Sequence, residues 1–329
     1  MIRRRDFITL LGGAAAVWPL AARAQQPPMP VISSLIALTE TLWASRLVDF
    51  RRGLADAGYV EGRNVEIEYR WADGHLDRLP ALAADLVGRK VSTIFEAGST
   101  VGLEAAMSAT KSIPIVTIFG SNPVAAGFVA GFNRPGGNVT GLSLMNTELQ
   151  PKRLELIREI IPKAAKIALL VNPNNPTPMQ ADIQNVIPAA RRLGLDILVV
   201  NGRNDGEIER AFAMASQEGA AAVLEASDAF FADRREQIAA LGVRHAIPTM
   251  ASDRESAASG VLMVYGAKRS ELYRQVGTYV GRILKGEKPG DLPVMQPTTF
   301  ELIINLKTAK AIGLAIPEVF LASADEVIE

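Results

Sequence analysis

The feature of the sequence that most restricts its fold is an order of predicted elements that occurs twice. In the first half, a strand at residues 64–71 is followed by an Asp-Gly pair, a helix and a strand at 91–97. In the second half, a strand at 195–200 is followed by another Asp-Gly pair, a helix and a strand at 221–226. Strands that alternate with helices are typical of parallel sheets with helices on their faces. The repeat therefore predicts two similar α/β lobes in tandem.

The second set of elements opens at residues 167–171, IALLV. This run is short and continuously apolar, as expected for a strand that is covered on both faces. The loop behind it, NPNNP at 172–176, is rich in turn-forming residues, and a helix can begin after it. Strand, polar loop and helix start together form the usual ligand-binding corner of an open α/β sheet. Farther along, the apolar pattern predicts a helix at 230–241 and a strand at 260–265.

The N-terminal segment is predicted to be an export signal rather than part of the fold. Residues 3–8, RRRDFI, are positively charged and contain a twin-arginine pattern, and an apolar stretch rich in Gly and Ala follows at 8–20. Ala-Arg-Ala at 22–24 provides small residues for a cleavage site. The apolar stretch is too short to span a bilayer and contains Pro19. We therefore expect residues 1–24 to be a cleaved twin-arginine signal, with an uncleaved membrane anchor as the alternative.

Charge and cysteine content exclude several classes of function. The 35 basic and 35 acidic residues balance, and no basic stripe argues for nucleic-acid binding. The chain has no cysteine, which excludes disulfides, thiolate metal sites and cysteine nucleophiles. With 48% hydrophobic residues, 329 residues can form two sizeable cores. The exported chain is therefore expected to be a soluble periplasmic protein.

The sequence lacks the motifs of catalysis. The two histidines, His75 and His245, fall in different halves and have no partner at metal-ligand spacing. In GSTVG at 98–102 the serine comes one position too early for a nucleophile elbow. Residues 136–143 resemble a phosphate-binding loop but carry Leu142 where the lysine is required. We therefore expect neither an enzyme nor a metal or cofactor site.

Candidate ligand-binding residues share one position, near the C-terminal ends of predicted strands. The loops at this edge of a parallel sheet form its usual ligand crevice. The candidates are Thr39, Glu40, Ser99, Thr100, Ser121, Asn122, Asn174, Asn175, Ser227, Asp228, Arg254 and Tyr265. Trp43 and Phe230 are candidates for aromatic contact, although core packing explains both rings more simply. Polar groups on both lobes favour a small polar or zwitterionic solute, and an aromatic acid remains open.

Several candidates have two alternative roles. Ser99 and Thr100 begin a predicted helix, so they either bind an anion with the help of the helix dipole or cap the helix. Asp228 either receives a ligand ammonium group or caps a helix. Arg254 either clamps a carboxylate or belongs to a solvated charged run. Glu40 either pairs with an amine or is a solvated loop residue.

Four segments resemble the signatures of one protein family. They are YVEGRNV at 59–65, RPGGNVTG at 134–141, VNPNNP at 171–176 and FELIINLKTAK at 300–310. Their order extends over nearly the whole chain behind the predicted export signal. On these motifs the chain is similar to the substrate-binding proteins of ABC transporters, in the family that includes the tryptophan-binding TrpX proteins.

The resemblance implies a type I periplasmic binding fold, in which three hinge strands join two Rossmann-like lobes. It assigns residues 25–144 and 267–291 to lobe one, and residues 145–266 and 292–329 to lobe two. It also implies a monomeric receptor that closes by hinge bending around a small-molecule solute and docks on a permease of the inner membrane. A periplasmic sensing module for a signalling receptor is the alternative function.

Export should depend on Arg4 and Arg5. Replacing both with lysine keeps the positive charge of the segment but removes the twin-arginine pattern, so we expect the variant to fail to accumulate in the periplasm. Cell fractionation followed by immunoblotting measures this accumulation. Normal periplasmic levels of the double variant would instead indicate a general secretory signal.

Overall fold

The computed structural model describes residues 29–97 and 99–329 of the chain. The predicted export signal at residues 1–24 therefore falls outside the described residues, as do residues 25–28 and Gly98. Within the described part, two separate sheets of five and seven strands confirm the predicted pair of α/β lobes. No helix in this part is both long and apolar enough to cross a membrane.

The first lobe is built on a sheet of five parallel strands in the order β2-β1-β3-β4-β5. Its strands and the helices between them are β1 (Val31–Ile36), α1 (Glu40–Asp56), β2 (Glu66–Trp71), α2 (Leu79–Gly88), β3 (Thr93–Glu96), α3 (Thr100–Ala109), β4 (Ile115–Phe119) and β5 (Val139–Ser143). A short 3-10 helix at Leu76–Arg78 leads into α2. Apolar clusters lie on both faces of the sheet, so the lobe has three layers.

The second lobe is built on a sheet in the order β12-β11-β10-β9-β8-β6-β7. The remaining elements are α4 (Gln150–Ile160), β6 (Lys166–Val171), α5 (Pro176–Arg192), β7 (Asp196–Asn201), α6 (Asp205–Gln217), β8 (Val223–Glu225), α7 (Ala229–Asp233), α8 (Arg235–Arg244), β9 (Thr249–Ala251), α9 (Arg254–Ala258), β10 (Met263–Ala267), α10 (Arg269–Leu284), the 3-10 helix Pro289–Asp291, β11 (Phe300–Asn305), α11 (Leu306–Ala311), α12 (Glu318–Leu321) and β12 (Glu326–Ile328). The run β7-β6-β8-β9-β10 repeats the order of the first sheet, as the sequence repeat predicts. Among the described strands of this sheet, only the pair β10 and β11 is antiparallel.

The chain passes between the lobes three times: after β5, after β10 and before β11. Following the second crossing, α10 packs along α1 of the first lobe. The segment behind α10 stays with the first sheet, because the Met295 N–H donates to the Gly141 carbonyl at 3.1 Å and the Met295 carbonyl accepts from Ser143 at 2.8 Å. The third crossing therefore begins after Met295 and not at Leu292, which lies in the core of the first lobe.

Two sequence predictions of local structure are corrected. The predicted helix at 230–241 is two helices, because Arg234 leaves helical geometry (φ −107°, ψ 17°) between α7 and α8. Phe231 and Ile238 are buried on either side of this break, so the apolar spacing continues through it and conceals it. The strand predicted at 260–265 is β10, which starts later and extends to Ala267.

Helices α1 and α10 pack backbone against backbone at two glycines. A Cβ atom at Gly53 would lie 1.7 Å from the Arg274 carbonyl oxygen, and one at Gly277 would lie 2.1 Å from the Phe50 carbonyl oxygen. Such distances are far below van der Waals contact, so only glycine leaves room for this approach. The two glycines therefore fix the helix that follows the second crossing against the first lobe.

Gly277→Ala should destabilise the protein by at least about 1–3 kcal/mol, because the added methyl group must push the α1 backbone away. Gly88→Ala is the matched control, since a Cβ at this last residue of α2 meets nothing within 4 Å. Urea unfolding of the two variants and the wild-type chain measures the difference. Equal unfolding midpoints for Gly277→Ala and Gly88→Ala would contradict the close helix contact.

Candidate ligand-binding site

A cavity of about 60 Å³ lies between the lobes, at the carboxyl ends of strands from both sheets. We refer to it as the central cavity. The first lobe contributes Leu38, Trp43, Arg46, Ala97, Ile118, Gly120, Leu144, Arg269 and Tyr273 to its wall, and the other lining residues are Asn146, Ser227, Asp228, Ala229, Ala232, Ser252 and Asp253. This position is the crevice in which open α/β sheets bind ligands.

Arg46 places a buried positive charge in the wall of the central cavity. The residue is 5% exposed, and its guanidinium carbon lies 5.4 Å from the ring centre of Trp43 and 5.8 Å from that of Tyr273. Its Nε atom is 3.9 Å from the Glu255 carboxylate of the other lobe, which is too far for a hydrogen bond. Neither Nε nor Nη2 has a hydrogen-bond partner among the described residues. Because a buried charged donor without an acceptor is costly, this site is suited to an anionic group.

Trp43 adds a second donor of the same kind. Its ring is 1% exposed and packs edge-to-face on Tyr273 (5.2 Å between ring centres) and on Phe95 (5.9 Å). The indole Nε1 has no hydrogen-bond partner within the described part of the chain. The ring is therefore a core residue whose N–H is not used by the described part of the protein.

Arg269 and Asp253 face each other across the lobe boundary. The Nη2 atom of Arg269 is 3.8 Å from Oδ2 of Asp253 and 3.4 Å from Oγ of Ser252. Asp253 also caps α9, because its Oδ1 accepts from the N–H and the hydroxyl of Ser256, both at 3.0 Å. Burial opposes ionisation of Asp253, but the charges of Arg269 and Arg46 outweigh it and hold the pKa below its ordinary value. Asp253 is therefore a negative charge opposite two arginines of the first lobe.

Asp228 is a second carboxyl group at the central cavity. It caps α7, since its Oδ1 accepts from the Phe230 N–H at 2.7 Å. Burial raises its pKa to about 6, against the opposing effect of hydrogen bonds from Phe230, Asn175 and Asn172. The group is therefore ionised at neutral pH and close to its titration range.

The start of α3, predicted as an anion site, already has an acidic partner within the chain. Ser99 caps the helix by accepting from the Gly102 N–H at 3.2 Å, and its own N–H donates to Oε1 of Glu96 at 2.8 Å. The other oxygen of Glu96 accepts from the Thr117 hydroxyl at 2.5 Å. Ser99 and Thr100 line a separate cavity of about 10 Å³ inside the first lobe rather than the central cavity.

Arg254 is also held by acids of its own lobe. Its Nη2 atom lies 2.6 Å from Oε2 of Glu301, and its Nη1 atom pairs with Glu326. The hydrogen bonds that Arg254 donates to Glu301 and Glu326 raise its pKa. Arg254 lines an adjoining cavity of about 230 Å³, which shares Arg46, Arg269 and Tyr273 with the central cavity. The guanidinium group of Arg254 is thus directed at carboxylates of the protein itself.

Ser227 and Asp228, together with the aromatic candidate Trp43, are the predicted residues that reach the central cavity. Ser121 and Asn122 line a further cavity of about 350 Å³ between the lobes, opposite α5. The remaining candidates lie elsewhere: Thr39 and Glu40 at the start of α1, Asn174 and Asn175 at the start of α5, and Tyr265 on β10, where its ring stacks on Phe300.

Sequence reasoning missed Arg46, Arg269, Asp253 and Tyr273 at the central cavity. Arg46 had a detectable signal, because it interrupts the apolar face of α1 between Trp43 and Leu47. An arginine on the buried face of an amphipathic helix needs a polar partner. Arg46 lies on a helix face, whereas the predicted candidates were chosen near the ends of strands.

Behind the central cavity, Asp182 supports the loop that carries Ser227. Its Oδ2 atom accepts from the Ser227 N–H at 2.7 Å, and its Oδ1 atom accepts from the Gln150 side chain at 3.1 Å. Gln150 also donates to the main-chain carbonyl of Glu225 at 3.1 Å. Burial raises the pKa of Asp182 to about 7, although the bonds from Ser227 and Gln150 oppose this. A buried carboxyl group therefore titrates near neutral pH beneath the cavity wall.

The stability of the protein should depend on pH through Asp182. The folded state retains this proton up to about pH 7, whereas the unfolded chain loses it near pH 4, so rising pH favours unfolding. We expect wild type to lose up to about 1.4 kcal/mol per pH unit through this group between about pH 5 and pH 7, and Asp182→Asn to lose less. Urea unfolding across this range measures the slope, with Asp196→Asn on the exposed face of β7 as the control. Identical slopes for wild type and Asp182→Asn would contradict the assignment.

No group of three or more His, Asp or Glu side chains within residues 29–97 and 99–329 is arranged to hold a metal ion. The chemistry of the central cavity is that of charged and aromatic side chains. It can bind a solute by ion pairs, hydrogen bonds and ring contacts.

Two Rossmann-like lobes with a cavity between them and three crossings define the type I periplasmic binding fold. The fold is similar to a conserved domain protein from Vibrio cholerae O1 biovar El Tor, with a TM-score of 0.83, 25% identity, and coverage of 91% of this chain and 99% of that one. With the same coverage, an ABC domain from Streptococcus pneumoniae in complex with L-Trp gives 0.83 at 24% identity. The ligand-free, open structure of CD0873 from Clostridium difficile gives 0.66 at 23% identity, again with that coverage.

The family model described as ABC transporter substrate binding protein matches residues 45–328. The chain belongs to this family, which confirms the resemblance of its four motifs; it is a family of substrate-binding proteins and not of enzymes. A relative, the tyrosine-binding protein of Clostridioides difficile (strain R20291), is 29% identical over 267 residues, which is 80% of this chain and 75% of the relative.

Proposed function

We propose that the protein is the periplasmic solute receptor of an ABC importer and closes by hinge bending around an amino-acid-like or aromatic carboxylate solute. The observation that carries this proposal is the set of unpartnered donors on Arg46 and Trp43 in the wall of the central cavity. Membership of the family supports the receptor role and a permease partner in the inner membrane. The tyrosine-binding relative supports an amino acid as the class of solute.

The charges around the central cavity favour a zwitterion. Arg46 and Arg269 of the first lobe provide positive charge, whereas Asp228 and Asp253 of the second lobe provide negative charge. A solute carboxylate on Arg46 would also accept from the Trp43 N–H, and an ammonium group would approach Asp228. Apolar wall residues, such as Ile118, would contact the rest of the solute.

Such a solute bridges the lobes, so it has higher affinity for the closed arrangement than for an open one. Hinge closure around a ligand is a known motion of periplasmic binding proteins. At equal coverage, the whole chain is more similar to the L-Trp complex from Streptococcus pneumoniae (TM-score 0.83) than to the ligand-free, open CD0873 (0.66).

Arg46→Met should weaken binding of the solute by about ten- to a hundred-fold, because a lost hydrogen bond to a charged group costs about 1.5–3 kcal/mol. Calorimetric titration with L-tyrosine, L-tryptophan, L-phenylalanine and phenylpyruvate measures the affinity, and thermal melting of the same variant monitors folding. Arg52→Met, on the exposed side of α1, is the matched control.

The variant Thr100→Val distinguishes two positions for the carboxylate of the solute, one at Arg46 and one at the start of α3. If the carboxylate binds Arg46, this variant keeps the wild-type affinity; if it binds the start of α3, affinity falls. Wild-type affinity in folded Arg46→Met would exclude Arg46 from the site. Absence of binding by the wild-type chain to all four compounds would contradict the proposed solute class.

A further inference from the structure

We propose that Arg153 is a positioning residue of the hinge, which holds the first and second crossings together and thereby stabilises the closed arrangement of the lobes. The proposal rests on the proposed closure and concerns how the chain controls it. Arg153 lies on α4, just after the first crossing, and is 0% exposed.

The contacts of Arg153 go to two different crossings. Its Nη1 atom donates to the main-chain carbonyl of Asn146 at 2.7 Å, in the first crossing. Its Nε atom donates to the main-chain carbonyl of Tyr265 at 2.8 Å, on β10 just before the second crossing. One rigid, planar guanidinium thus fixes the spacing of two segments that are more than a hundred residues apart in sequence.

The other pairs of crossings are joined by main-chain contacts. The second and third run side by side in the antiparallel β10–β11 ladder, where Ala267 pairs with Phe300. The first and third are joined where Met295 pairs with the end of β5. Arg153 joins the first to the second, so all three crossings are linked in a ring and must bend together.

The free-energy cost of burying the charged side chain of Arg153 argues for a role beyond packing. A fully buried arginine is costly, and replacing buried charges with apolar side chains is often neutral or stabilising. Burial lowers its pKa to about 10, while nearby Asp182 and Glu225 oppose this effect, so the group stays charged at neutral pH. Its charge therefore strengthens the hydrogen bonds to the carbonyls of Asn146 and Tyr265.

Arg153 is also connected to the central cavity. Asn146, which it binds, lines the cavity directly. Gln150 lies one turn earlier on α4 and supports Asp182, which holds the Ser227 loop at the opposite part of the wall. Movement of the crossings is therefore transmitted to two parts of the cavity wall.

Arg153→Lys tests the proposal, because lysine keeps the charge but has a single ammonium group in place of the guanidinium fork that spans both carbonyls. The partly exposed neighbour Lys152 provides the matched control Lys152→Met on the same helix. Small-angle scattering of the ligand-free variants measures the radius of gyration, and titration with L-tyrosine measures the apparent affinity. Apparent affinity falls with the population of the closed form, so both readouts report the same equilibrium.

We expect ligand-free Arg153→Lys to have a larger radius of gyration than wild type and Lys152→Met. We also expect its apparent affinity for L-tyrosine to be weakened by about three- to ten-fold, as the closed population decreases. A lower melting temperature with an unchanged radius of gyration would show that Arg153 only stabilises the fold, and would overturn the proposal. If wild type does not bind L-tyrosine, the proposed solute has failed, and the ligand-free scattering still decides the role of Arg153.

Hydrogen exchange of the wild-type chain provides a test that needs no variant. We expect amides in residues 144–149 and 265–268 to open with one common free energy, because the crossings move as a unit. Independent opening of the two segments would overturn the proposal even if Arg153→Lys does not fold.

Discussion

The structure depends on one geometric constraint, which is that parallel strands place all their carboxyl ends at the same edge of a sheet. Two sheets of this kind, built from one repeated order of elements, present these edges to each other. Loops and helix starts of both lobes are thereby concentrated at the boundary, where backbone and side-chain polar groups are available to a ligand. The central cavity is a direct result of this arrangement.

The same constraint explains the distribution of charge at the boundary. Positive groups enter from the helices α1 and α10 of the first lobe, and carboxylates enter from the strand ends of the second lobe. The cross-boundary distances of 3.8 and 3.9 Å leave these ions associated but without a direct hydrogen bond. Weak internal pairing keeps the charges available to a third partner, whereas tight pairs such as Arg254 with Glu301 are closed to it.

Much of the fold was predictable, because it depends on the apolar pattern of each strand and helix and on the order of these elements along the chain. The apolar run of β6 and the repeated strand-helix-strand order were enough for two α/β lobes, whereas the type I architecture with its three crossings was implied by the family resemblance. The site was less predictable, because its side chains come from helix faces. Arg46 is brought to the cavity by the burial of Trp43 beside it, and the start of α3 is occupied by Glu96 from the preceding strand. Both facts depend on which side chains face inward, which a single sequence does not give for charged residues.

The glycine contact between α1 and α10 has a consequence for biosynthesis. The first lobe needs α10, yet about 125 residues separate the end of β5 from the start of that helix. At about 5–20 residues per second, the ribosome takes roughly 6–25 s to make this segment. Throughout that time the face of α1 that carries Gly53 and Phe50 has no covering helix. The first lobe can therefore complete its packing only after β6 to β10 of the second lobe have been made, and until then its exposed apolar surface favours aggregation.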